Sequence, residues 1–190
     1  MQDPTDQQRQ QQERQIVDSD DLVLVDEYDN PIGSCAKLAA HENGGRLHRA
    51  FSVFIFNRCE QMLLQRRADT KYHFGGLWTN ACCSHPRRDQ LVEAEARRRL
   101  REELGIDAPL EWAFSFVYRA RDPVTGLVEH EFDHVFIGHF DGTPRPDPAE
   151  VGAWQWVDPA ELSRDVQANA TRYTPWFTIA LDRLLRHTPS

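Results

Sequence analysis

Apolar residues along the chain fall into short dense runs separated by turn-forming residues. The run at 22–25 is followed by Asp29-Asn30-Pro31 and Gly33, which predicts a hairpin with a return strand near 34–38. FSVFIF at 51–56 is rich in β formers and predicts a buried strand, with MLLQRR at 62–67 as its antiparallel partner across a turn at 57–60. Residues 68–78, with Gly75 and Gly76, read as a loop. Two long β-type runs, 111–119 and 127–140, flank Asp122-Pro123 and Gly126 and predict a second hairpin; 153–157 predicts one more strand. The periodicity changes between these strands. Val92, Ala96, Leu100 and Leu104 recur every fourth residue and line one face of a helix, with Asp89 as its expected N-cap and Gly105 as the residue that ends it. Asp158-Pro159 and Thr174-Pro175 each read as a cap followed by a first-turn proline, and the last helix carries Ile179, Leu181 and Leu184. Strands, helix, strands, helices in that order predict an α+β layered domain with a mixed sheet, not a repeating βαβ unit.

A length of 190 residues suits a single domain. Residues 1–15 are rich in Gln, Arg and Asp, cannot build a core, and are expected to be a disordered tail; residues 16–190 read as one domain. Basic side chains number 22 and acidic ones 30, a net charge of −8, which argues against a nucleic-acid partner but leaves room for a small anion held by local cations. The basic residues are almost all arginine; lysine occurs only at Lys37 and Lys71. No apolar run reaches the roughly 20 residues of a membrane span, so no membrane partner is expected. The first residues lack the apolar stretch of a secretory signal, and 4 cysteines do not make a disulfide scaffold, so the expected compartment is the cytoplasm. Monomer and dimer remain equally open.

Three segments concentrate chemistry. The first holds His41 and His48, the second Cys82, Cys83 and His85, the third Glu129, Glu131 and Asp133. In a strand, Glu129, Glu131 and Asp133 project from one face, where carboxylates repel unless a cation or a proton lies between them. A solvated edge strand would carry the same pattern. Extended backbone at 79–85 puts Cys83 and His85 on one face and turns Cys82 away; small buried cysteines are the plainer alternative. Adjacent cysteines suit structural zinc poorly, whereas a His and carboxylate set suits a catalytic divalent ion. Arg66, Arg67 and Lys71 next to paired glycines are what a phosphate group needs, or an ordinary charged loop. RRRLREELG is close to the Nudix box: Arg98, Leu100, Glu102, Glu103 and Gly105 match, while Arg99 replaces its first glutamate, and Ser84 and Gln90 stand where an upstream glycine and glutamate belong.

Taken together, AAH with RLHRAF, then WTNACCSHP, then VEHE, then a late Pro-Trp resemble the type 1 isopentenyl-diphosphate isomerases, over about residues 22–185. The resemblance implies a Nudix-like mixed sheet flanked by helices with an extra N-terminal hairpin. It implies interconversion of isopentenyl and dimethylallyl diphosphate in isoprenoid synthesis, by protonation and deprotonation through a carbocation-like intermediate. By the same resemblance, His41, His48, His85, Glu129 and Glu131 would hold Mn²⁺, Mg²⁺ or Zn²⁺. Glu103 would hold a second Mg²⁺ carried on the diphosphate. Cys83 and Glu131 would exchange protons with the substrate, Tyr118 would hydrogen-bond near Glu131, and Trp176 would face the hydrocarbon. Lys37, Arg67, Lys71 and Arg99 would face the diphosphate. His73 and His134 have no counterpart in that set. The competing expectations are a Nudix-type diphosphohydrolase, disfavoured by the carboxylates missing at Gln90 and Arg99, and a non-catalytic metal-binding module.

Overall fold

A computed structural model describes residues 21–71 and 73–187; the tail expected at 1–15 lies outside them. The first hairpin forms from β1 (Asp21–Val25) and β2 (Pro31–Ala36), paired antiparallel. The return strand expected at 34–38 therefore sits earlier. Lys37 already begins a short helix, α1 (Lys37–His41), whose last residue turns a histidine inward. β3 (His48–Phe56) and β4 (Met62–Arg67) follow, then two short strands, β5 (Trp78–Thr79) and β6 (Cys82–Ser84). Helix α2 (Val92–Leu104) is followed by the hairpin of β7 (Leu110–Arg121) and β8 (Val128–His139), then β9 (Val151–Val157). Helix α3 (Pro159–Ala168), a 3₁₀ turn at Ala170–Arg172 and α4 (Pro175–His187) complete the described chain.

All nine strands join one mixed sheet. β3 lies at its centre. It runs parallel to β8 over its whole length and meets β6 antiparallel on its other edge. The expected pairing of β3 with β4 is confined to Phe56↔Met62; the real partner of β4 is β9, from Met62↔Val157 onward. Sequence neighbours separate here because a central strand buried on both faces gains more from a full-length ladder with β8 and a short one with β6 than from one hairpin. β3 shows this burial directly. Phe51, Val53 and Ile55 pack with Ala96, Leu100 and Leu104 of α2 on one side of the sheet. Phe54 packs with Phe177, Ala180 and Leu181 of α4 on the other.

Helix α2 ends as expected, with Gly105 in the left-handed region at φ 64°. Its start differs. The first cap position is Leu91, whose side chain makes no capping bond, and Asp89 takes a left-handed φ of 61° in the preceding turn. Glu95, buried in the first turn, instead ties the preceding segment to the helix: it accepts from the Arg87 backbone and from the guanidinium groups of Arg87 and Arg98. In contrast, Asp158 does cap α3, accepting from the amides of Ala160 and Glu161.

Candidate active site

The site lies where β3, β6 and β8 come together, roofed by α1 and α4. β8 is not an edge strand: β3 and β7 flank it, and Glu129, Glu131 and Asp133 are all buried. The pleat sends the three carboxylates to the same face, and α1 and the start of β3 deliver His41 and His48 opposite them. His85 follows β6. His41, His48, His85, Glu129 and Glu131 each offer a ligand atom, and these atoms lie within 4.8 Å of one another.

Their hydrogen bonds test whether a cation fits. His41 Nδ1–H donates to the Lys37 carbonyl at 2.6 Å, and His48 Nδ1–H donates to the Arg46 carbonyl at 2.8 Å. Those donations leave the Nε2 lone pairs pointing inward. His41 Nε2 faces Glu129 Oε2 at 2.8 Å. His48 Nε2 and His85 Nε2 face each other at 3.1 Å, and they lie 3.6 Å and 3.0 Å from the same Glu131 oxygen. Lone pairs and carboxylates converging in this way require positive charge between them, and a borderline divalent ion with nitrogen and oxygen ligands suits the donor set. His73, absent from the expected ligands, approaches the other oxygen of Glu129. It holds that carboxylate from behind.

Burial opposes charge on His41, but the hydrogen bond and charge of Glu129 outweigh it and raise its pKa. Burial dominates at His85 and lowers it to about 4. Burial opposes ionisation of Glu129 and Glu131, yet their histidine partners keep both below the ordinary carboxylate range. Asp133 behaves differently. Burial and the charge of Glu131 hold it well above its usual value, and it accepts from Ser52 Oγ at 2.8 Å, outside the histidine set.

Cys83 and Cys82 part company as alternation requires. Cys82 is wholly buried with Ala96 and Leu100 on the α2 side. Cys83 packs toward the α4 side and lines the cleft with Tyr118, Glu129, Glu131 and Trp176. Burial pushes the Cys83 thiol up to about 12, against the opposing influence of Arg67, which lies 3.8 Å from its sulfur. Tyr118 Oη donates to Glu131 Oε2 at 2.6 Å, across the direct pairing of Tyr118 with Glu131 in the β7–β8 ladder. Trp176, buried at the start of α4, meets Phe74 edge-on at 5.4 Å and carries the Arg67 guanidinium 5.5 Å above its ring.

The cationic end of the same cleft holds Lys37, Arg67, Lys71 and Arg99. A register shift between Arg66 and Arg67 re-aims β4 here: Gln65 reaches Glu103, whereas Arg67 reaches Cys83 and Trp176. Glu103 stands apart from the five-residue cluster. It accepts from Arg99 at 2.8 Å and from Gln65 at 3.1 Å, and burial raises its pKa. Eleven of the thirteen expected site residues line this one cleft, and the other two, His41 and His48, lie buried behind it in the cluster with His85, Glu129 and Glu131. Sequence reasoning missed His73, Gln65 and Glu150. His73 sits in a stretch that reads as a loop. Gln65 is the first polar residue after the apolar start of β4 and is followed by Arg66 and Arg67, so it reads as part of a polar strand end. Glu150 has no local signal at all.

Comparison with known proteins adds an independent line. The NUDIX domain family matches residues 46–177. The chain is 52% identical over 166 residues, 87% of each chain, to a protein of Aromatoleum aromaticum named isopentenyl-diphosphate Delta-isomerase 2. It is 47% identical over 169 residues to isopentenyl-diphosphate Delta-isomerase of Halorhodospira halophila, covering 88% of this chain and 94% of that one. Among solved structures, a Deinococcus radiodurans protein superposes with a TM-score of 0.71 at 22% identity, over 86% of this chain and 98% of that chain, which speaks to the fold alone.

Proposed function

The chain belongs to the NUDIX family and, within it, to the isopentenyl-diphosphate Delta-isomerases, and from that premise we propose how its side chains divide the work. The protein is an enzyme that interconverts isopentenyl and dimethylallyl diphosphate. We assign the divalent ion to His41, His48, His85, Glu129 and Glu131, with Mn²⁺, Mg²⁺ or Zn²⁺ as the candidates. Their convergence within 4.8 Å is the observation that carries this assignment. A bound divalent ion supplies positive charge that holds Glu131 in place and tunes its basicity.

Moving the double bond requires a proton added at one end of a three-carbon unit and a proton removed from the other. Cys83 and Glu131 are the two groups assigned to that exchange; both line the cleft, from β6 and β8. Tyr118 orients Glu131 through its 2.6 Å bond. Trp176 offers a π face to the cationic intermediate, a contact worth about 0.5–2 kcal/mol. Its burial with Phe74 also keeps bulk water from trapping that cation. Lys37, Arg67, Lys71 and Arg99 hold the diphosphate, and Glu103 is assigned to a Mg²⁺ carried on it.

Arg99 stands where a hydrolytic Nudix helix carries a glutamate, and it pairs with Glu103. That substitution favours holding the diphosphate over cleaving it. We further assign the reaction to the cytoplasm, in keeping with four unpaired cysteines and a small-molecule partner. None of the described helices is long and apolar enough to cross a membrane. Incubating the purified protein with isopentenyl diphosphate and Mg²⁺ tests the assignment. Dimethylallyl diphosphate is expected; phosphate released at a comparable rate would refute it.

A further inference from the structure

Glu150, just ahead of β9, lines the same cleft as the diphosphate cations. One of its carboxylate oxygens pairs with Lys71 Nζ, and the other lies 3.3 Å from Arg99. Two of the four cations assigned to the diphosphate are thus already bound to an anion of the protein itself. The three side chains come from separate pieces of chain: the loop after β4, helix α2 and the segment before β9. Glu150 therefore ties those pieces together at the mouth of the site.

The exposures show how firmly. Lys71, Arg99 and Glu150 are 25%, 21% and 24% exposed. An ion pair that reaches water to this degree is weakened by solvent screening. An incoming polyanion can displace it. The cations would not be left without structure when that happens, because Arg99 also donates to Glu103 at 2.8 Å and to Glu102 at 2.9 Å. Glu150 keeps its place as well, because its carbonyl accepts from the Ala68 amide at 3.0 Å and its amide donates to the Asp147 carbonyl at 3.0 Å.

We infer that Glu150 is an internal counter-anion: it holds Lys71 and Arg99 in position while the cleft is empty, and the diphosphate must displace it to bind. Glu150 is then a specificity-determining residue. A ligand that reaches only Lys71 and Arg99 exchanges one anion for another and gains little. A diphosphate gains because it also reaches Lys37 and Arg67, which line the same cleft. The inference rests on the proposal that these four cations hold the diphosphate.

Titration calorimetry with inorganic pyrophosphate tests it, on wild type and Glu150→Gln, first without added Mg²⁺ and then with it. Removing the competing charge should tighten pyrophosphate binding about 3- to 10-fold in both conditions, in line with an exposed pair of this type. Unchanged affinity in Glu150→Gln would overturn the inference. So would weaker binding confined to the Mg²⁺ condition, which would make Glu150 a metal-holding group. Glu150→Asp keeps the charge and should bind like wild type. Should Glu150→Gln fail to fold, Glu150→Ala supplies the same comparison. Lys71→Ala and Arg99→Ala separate the two levels. Both should weaken pyrophosphate binding; if neither does, the assignment of the diphosphate site itself fails.

Discussion

Cys82 and Cys83 are adjacent in sequence and opposite in environment, so alanine at each should produce opposite failures. Cys82 is wholly buried between the sheet and α2. Removing its sulfur deletes one methylene-sized group, about 0.8 kcal/mol of transfer free energy, and leaves a small cavity that brings the cost to about 1–2 kcal/mol. For a domain of this size that lowers Tm by about 2–8 °C. Activity per folded molecule should stay close to wild type, because Cys82 faces away from the cleft. Cys83→Ala removes a half-buried thiol that lies 3.8 Å from Arg67. Its stability should change by less than about 0.5 kcal/mol. A positioned acid/base group contributes about 10²–10⁴-fold, so turnover should fall by that factor. The assay is conversion of isopentenyl to dimethylallyl diphosphate, normalised to the folded fraction from circular dichroism, with Tm read on the same samples. Equal activity losses at matched folded fraction would refute the alternation argument. Full activity in Cys83→Ala would remove Cys83 from the reaction.

Three further expectations follow from other parts of the fold. Tyr118→Phe deletes a 2.6 Å bond to a buried carboxylate, a loss of about 1.5–3 kcal/mol, so kcat/KM should fall about 10- to 150-fold while the far-ultraviolet spectrum is unchanged; activity within twofold of wild type would show that Glu131 needs no such support. Glu95 is almost fully buried, and although burial opposes its ionisation, the bonds from Arg98 and Arg87 pull its pKa from 4.5 down to about 2. Its folded pKa is depressed, so its stabilisation is fully present above about pH 4.5 and is lost as pH falls through about 2. Glu95→Gln should therefore cost about 2–3 kcal/mol at neutral pH, with a Tm deficit that closes toward pH 2; a deficit independent of pH would deny the charge its role. Deleting residues 1–15 should leave both Tm and turnover unchanged, since that segment has almost no apolar surface to bury, and a fall of several degrees would show that it docks on the domain.

Much of the architecture was legible in the residues themselves. Dense β-type runs, a four-residue apolar repeat ending at Gly105 and two cap-proline pairs gave the order of elements, because each depends on interactions within a few residues. Period-two alternation also separated Cys83 from Cys82 and aligned Glu129 with Glu131, since a pleat is a local property. Motif resemblance, not periodicity, assigned the remaining site residues. Pairing was another matter. β4 follows β3 in the chain yet joins β9, and β3 lies parallel to β8, since which ladder forms depends on burying both faces of a central strand. The start of α2 also differs: Asp89 has the right side chain for a cap, but it turns left-handed and the cap position falls on Leu91. Tertiary structure alone decided that His73 would grip Glu129, that Gln65 would grip Glu103, and that Glu150 would sit between Lys71 and Arg99. Those contacts join residues 38 to 79 positions apart. No local rule of spacing reaches that far; only the closure of the sheet around its centre brings such charges to one place.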